Sequence, residues 1–152
     1  MQSCGIRLAA PWAIVSVLAG CALAVGGSFS PVRGPLAEQK PLPSYPARMT
    51  GALSGGISTS LPGDGACTGS WSLHGAQLQT FDLAGDWDVI YGTGYYPAHV
   101  LGVREFVRTT LKCAGGGVIR MELSNENNRR GNTHGVAEDD HGNVFKVNVY
   151  NY

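Results

Sequence analysis

The sequence predicts a mainly β protein: a small antiparallel barrel or a strongly bent sheet of six to eight short strands, with at most one short helix. Apolar and polar residues alternate in several short runs, 22 glycines lie among them, and only 14% of the 152 residues are charged. Alternation with a period of two is typical of half-buried strands, and glycine-rich segments between such runs are typical of tight turns. The formal net charge of zero gives nucleic acid no electrostatic reason to bind.

The first clear strand is "CTGSWSL", residues 67–73, in which Cys67, Gly69 and Trp71 share one face. The segment "LPGDG" before it is typical of a turn. A second strand is predicted over residues 78–84, "LQTFDLA". The next segment, residues 85–102, fits a strand, a short helix or a loop, and the sequence does not decide between them.

Two hairpins are predicted in the second half of the chain. Residues 103–113 and 118–124 alternate around the turn "AGGG", and the valine, phenylalanine and threonine in the first favour a strand over a helix. Residues 133–138 and 144–150 flank "DDHGN", which is the strongest hairpin signal in the chain. The inward faces should carry Val107, Leu111, Cys113, Ile119, Met121, Leu123, Phe145, Val147 and Val149.

The first 46 residues differ from the rest. Arg7 is followed by an apolar stretch, Leu8–Ala19, which is too short to span a bilayer and has the order of a signal peptide. Residues 1–20 are therefore predicted to be a leader. Residues 21–46 are predicted to be a flexible tether rich in proline and glycine, and residues 47–152 the β domain. The alternative, a first strand within 21–46, is disfavoured because proline lacks the amide donor that a ladder needs.

The leader ends in Leu18-Ala19-Gly20-Cys21, which resembles the lipobox of bacterial lipoproteins. The resemblance implies acylation of Cys21, with palmitate among the added groups, and cleavage just before it. It also implies attachment to the membrane through this lipid, at the outer membrane and facing the periplasm. A rival cleavage site, Ala22-Leu23-Ala24, would instead release a soluble protein that starts at Val25.

The remaining cysteines are predicted to form a disulfide. Cys4 would leave with the leader and Cys21 would carry the lipid, so Cys67 and Cys113 remain as a pair in an oxidising compartment. Both lie on the apolar faces of their predicted strands. Two unrelated buried thiols are the alternative.

Parts of the domain are similar to small uncharacterised bacterial lipoproteins. The similarity lies in the element 63–71, in Ala-His-Val-Leu-Gly at 98–102 and in the final hairpin, 135–147. It implies no activity.

Three groups of residues are candidates for chemistry or binding. His134, His141, Asp139 and Asp140 surround one hairpin, but such residues also build tight turns, so neither a metal site nor a cofactor is predicted. Asp86 and Asp88 would share a strand face, the arrangement that a glycan hydrolase could use. The tyrosine-rich segment 91–99 is predicted to be a loop that binds a partner through Tyr91, Tyr95, Tyr96 and His99. The alternative is that these tyrosines cap the core.

The sequence therefore favours a lipid-anchored, non-enzymatic binding or structural module of the cell envelope. Its expected partner is an envelope protein or a glycan, and no nucleic acid is expected. An envelope hydrolase acting on glycan through Asp86 and Asp88 is the alternative.

Overall fold

The computed structural model describes residues 24–73, 80–125 and 132–150. The eight strands form one closed antiparallel barrel in which neighbours along the chain are neighbours in the sheet. The barrel predicted from alternation is thus confirmed, at the upper end of the predicted strand number. The strands are β1 (Ala24–Arg33), β2 (Tyr45–Thr50), β3 (Ser54–Leu61), β4 (Gly65–Ser72), β5 (Phe106–Cys113), β6 (Val118–Ser124), β7 (Asn132–Asp139) and β8 (Val144–Tyr150).

The predicted tether is wrong for its described part, because residues 24–33 form strand β1. This strand pairs with β2 on one side and with β8 on the other, and so closes the barrel. Pro31 is tolerated because the pairing with β2 already ends at Phe29, and the pairing with β8 shifts register between Pro31 and Arg33. The described domain therefore begins at residue 24 rather than 47.

The barrel interior is filled by the residues that alternation placed inward. Phe145, Val147 and Val149 of β8 are buried in one cluster with Ile119, Met121 and Leu123 of β6. Phe29 of β1 meets Phe145 edge to face, with ring centroids 5.9 Å apart. The hairpins predicted over 103–124 and 133–150 are confirmed as β5–β6 and β7–β8.

The undecided segment 85–102 is mostly helical. Helix α1 spans Ala84–Tyr91 and α2 spans Tyr95–His99, one helix more than the prediction allowed. The strand predicted over 78–84 is wrong within the described residues, since 80–83 form no strand and Ala84 begins α1. Residues 78 and 79 lie outside the described residues. The two helices pack on the outer face of the barrel, mainly over β7.

The Cys67–Cys113 disulfide is present, as predicted, and joins β4 to β5 with a Cα–Cα distance of 3.9 Å. The two cysteines are direct partners in the β4–β5 ladder. The predicted leader, residues 1–20, and Cys21 lie outside the described residues. Among the residues that the structure describes, no helix is long and apolar enough to cross a membrane.

Candidate functional site

One end of the barrel, here called the mouth, holds a cavity of about 290 Å³. The mouth lies where β1, β3, β5 and β7 begin and where β2, β4, β6 and β8 end. Small barrels commonly hold ligands in such apolar openings, with a few polar groups at the rim. The walls are Val25, Met49, Trp71, Leu73 and Val107, and the rest of the lining is Gly51, Ala52, Glu105, Asn125 and Thr133.

The ladder between β4 and β5, two strands that contribute to the cavity wall, is short. Only Cys67–Cys113 and Thr68–Lys112 pair residue by residue, and both pairs lie toward the far end of the barrel. Nearer the mouth, the Thr109 hydroxyl donates to the Ser70 carbonyl instead, at 2.5 Å. A side-chain hydrogen bond therefore takes the place of the backbone ladder between these two strands nearer the mouth.

Trp71 is the largest side chain of the cavity wall. Its indole N–H donates to the Thr50 carbonyl at 2.9 Å, which satisfies its one polar atom and fixes the ring. The residue is only 7% exposed. An indole held in this way presents a rigid apolar surface at the mouth.

The rim carries a polar pair. The Asn125 side-chain amide donates to Glu105 Oε2 at 2.6 Å, and the Asn125 backbone N–H donates to the Glu105 carbonyl at 3.1 Å. The first bond fixes the orientation of the amide, since a carboxylate accepts only from its N–H₂ group. The Asn125 Oδ1 atom is buried and accepts no hydrogen bond.

The predicted partner-binding residues lie in helices rather than in a loop. Tyr91 ends α1, whereas Tyr95, Tyr96 and His99 belong to α2, and a short turn separates the helices. Tyr95 stacks on Tyr91 with centroids 4.8 Å apart and meets His99 at 4.6 Å. The structure thus joins three of the four predicted residues in one ring cluster. Tyr96 lies outside this ring cluster, and its backbone N–H donates a hydrogen bond to the Asp88 carboxylate.

This ring cluster also packs inward. Tyr95 lies parallel to the fully buried Trp87, and its hydroxyl is 3.0 Å from His134 Nε2 on β7. The Tyr91 hydroxyl donates to the Gly135 carbonyl. Burial, and next the neighbouring Tyr95, raise the pKa of Tyr91 well above its ordinary value. These contacts support the alternative that Tyr91 and Tyr95 cap a core, while His99 stays exposed.

Glu122 on β6 is the polar centre beneath the helices, and it is fully buried. Its carboxylate accepts from the Trp87 indole at 2.8 Å and from the Leu83 backbone N–H at 3.3 Å. Arg108 on β5 donates to the same carboxylate through Nε at 2.7 Å and pairs with it through a second nitrogen. Sequence reasoning missed this role because alternation placed Glu122 on the outer face, where a charged residue normally meets water.

Asp86 and Asp88 do not form the facing pair that the hydrolase alternative requires. They lie two residues apart on α1, so their side chains project about 200° apart around the helix axis. Asp86 pairs with Arg33 at 3.0 Å, and burial raises its pKa despite that cation. Asp88 accepts from backbone N–H groups of Gly94 and Tyr96, which lower its pKa.

The four turn residues considered for metal binding are split between two places. His134 lies in the ring cluster described above, on the outer face of β7. At the far end of the barrel, Asp64, Asp139 and His141 place ligand atoms within 4.8 Å of one another. The Asp139 carboxylate accepts from the backbone N–H groups of His141 and Asn143 and from the Asn143 side chain. These bonds are those of a tight turn, and they account for the position of the Asp139 carboxylate.

No family model matches this chain, and no curated protein or solved structure matches it significantly. The cavity itself was not predicted from the sequence, although alternation did place Trp71 on the inward face of its strand.

Proposed function

We propose that this protein is a lipid-anchored, non-enzymatic binding module of the bacterial cell envelope, which takes a small apolar ligand into the mouth of its barrel. The observation that carries the proposal is the cavity of about 290 Å³ with apolar walls and a polar rim. Its volume is close to the lower end of the range of small-molecule sites, which is roughly 300 Å³.

The envelope location is supported by two independent features. The lipobox-like sequence ends at Cys21, and the Cys67–Cys113 disulfide fits an oxidising compartment outside the cytosol. The binding role is supported by the walls, because Val25, Met49, Leu73 and Val107 are apolar, and the carboxylate of Glu105 at the rim accepts from the Asn125 side-chain amide.

The proposal is tested with residues 22–152, a chain that keeps every strand of the barrel but lacks the lipid. The neutral probe N-phenyl-1-naphthylamine should gain fluorescence on binding, because it leaves water for an apolar site. The blocking variant is Ala52→Phe, because Ala52 is exposed on the β2–β3 turn and lines the cavity. We expect this variant to weaken probe binding about tenfold or more, equivalent to about 1.4 kcal/mol.

The matched control is Ala114→Phe, which adds the same ring on an exposed turn between β5 and β6 at the far end of the barrel. This control should bind the probe like the unmodified chain. Equal binding by both variants, or no binding by the unmodified chain, would contradict the proposed site.

A further inference from the structure

The link between the predicted lipid and the barrel is very short. Cys21 precedes Ala24, the first residue of β1, by three positions. Three residues span at most about 11 Å when fully extended. The ten residues of β1 span about 33 Å between the two ends of the barrel, so this link cannot carry the lipid to the far end.

The end of the barrel nearest to the lipid is the mouth. Strand β1 begins there, and its second residue, Val25, is part of the cavity wall. The β2–β3 turn at the same end exposes Leu53, which is 65% accessible. The Leu53 carbonyl accepts from the backbone N–H of Leu73, another wall residue, so this exposed side chain lies beside the opening.

We infer that the mouth faces the bilayer and takes up a single acyl chain from a membrane lipid. This inference rests on the proposed function, which supplies the lipid anchor and the ligand-binding cavity. It adds the orientation of the barrel on the membrane and the chemical class of the ligand. A bilayer supplies acyl chains directly at the mouth, and an apolar wall of valine, methionine, leucine and tryptophan matches an alkyl chain. The small volume suits one chain, or part of one, rather than a whole two-chain lipid.

The test uses the complete chain, matured and acylated in cells and then purified into vesicles of phosphatidylethanolamine and phosphatidylglycerol. The vesicles also contain a phosphatidylcholine with a diazirine midway along one acyl chain. Illumination should crosslink this chain to peptides that contain Val25, Met49 or Val107. The Ala52→Phe variant should lose this labelling, and the Ala114→Phe control should keep it.

The outcomes separate this inference from the proposed function. Labelling confined to outer-surface peptides overturns the acyl-chain inference, while probe binding by residues 22–152 would still support the cavity. A mature protein that starts at Val25 and leaves the vesicles overturns the membrane-facing orientation. Failure of residues 22–152 to bind the naphthylamine probe counts against the proposed function itself.

Discussion

The barrel interior and the layer beneath the helices are built by different means. The interior joins side chains from all eight strands and is cross-linked by the Cys67–Cys113 disulfide. The outer layer is smaller: Leu83, Trp87, Val100 and Val136 are buried around the carboxylate of Glu122. The interior follows from a pattern repeated in each strand, whereas the outer layer depends on a few contacts between distant residues, and this difference leads to separable predictions.

The largest expected effect is on the interior. Replacing both Cys67 and Cys113 with alanine should lower the free energy of unfolding by about 4 kcal/mol, since the disulfide closes a loop of 46 residues in the unfolded chain. Urea unfolding monitored by far-UV circular dichroism measures the change. Unmodified protein in reducing agent is the control and should lose a similar amount. An unchanged midpoint in both samples would argue against a stabilising disulfide.

The next effect is on the outer layer. Glu122→Gln keeps the side-chain shape but leaves Arg108 without its carboxylate, and breaking a buried pair costs roughly 3 kcal/mol. Urea unfolding measures the loss, and near-UV circular dichroism should report the altered surroundings of Trp87. The matched control is Glu138→Gln, because Glu138 pairs with Arg120 at 3.8 Å in a more exposed position. That control should change stability by less than about 1 kcal/mol. Equal losses in the two variants would contradict the role of Glu122.

A smaller effect is expected in the ring cluster. Tyr95→Ala removes the stacking on Trp87 and Tyr91 and the hydroxyl contact with His134, and should cost about 2 kcal/mol. His99→Ala should stay within about 0.5 kcal/mol because the side chain is exposed. Thermal unfolding compares the two variants. A Tyr95→Ala protein as stable as the unmodified one, but unable to capture a partner from solubilised envelope, would instead favour the interface interpretation.

The smallest effect concerns pH. Hydrogen bonds from the backbone of Gly94 and Tyr96 lower the pKa of Asp88 in the folded protein. The ionised carboxylate therefore stabilises the fold at pH values above the pKa of aspartate in the unfolded chain, which is about 3.9. That contribution is lost as the pH falls through the folded pKa. Asp88→Asn should therefore be less stable than the unmodified protein at pH about 7, and the two should converge in acid. Urea midpoints measured across this range check the sign. A difference that persists unchanged in acid would exclude this origin.

The sequence was sufficient to predict the position and inward face of those strands whose two faces differ in polarity. Phe145, Val147 and Val149 were placed inward by alternation alone, and so was the cysteine pair. Strand β1 was not predicted because proline lacks the amide donor that a strand ladder needs, and the sequence around Pro31 does not show which of its neighbours it pairs with. The structure places Pro31 beyond the end of the β2 ladder, which only the assembled sheet reveals.

The helical layer and the cavity could not be derived in the same way. Val89 and Ile90 of α1 are compatible with strand or helix, and Val89 remains 54% exposed, so no clear apolar face signals the helix. Without α1, nothing marks Glu122 as buried. The cavity requires the closed barrel, because its walls come from strands that are far apart in the chain. The tyrosine-rich segment 91–99 was predicted to be a loop, but its four candidate residues lie in helices α1 and α2, and its contact with a partner stays a prediction.

The pairing of the first strand with the last has a consequence for the order of folding. Ser28 Oγ and Tyr150 Oη lie 3.3 Å apart although 122 residues separate them in the chain. The seven pairings between consecutive strands can form one after another along the chain, but the ring cannot close until β8 is available to β1. Contacts over so long a loop slow folding. Closure of the barrel between β1 and β8 should therefore be the last pairing to form, since it joins the two strands that lie farthest apart in the described chain.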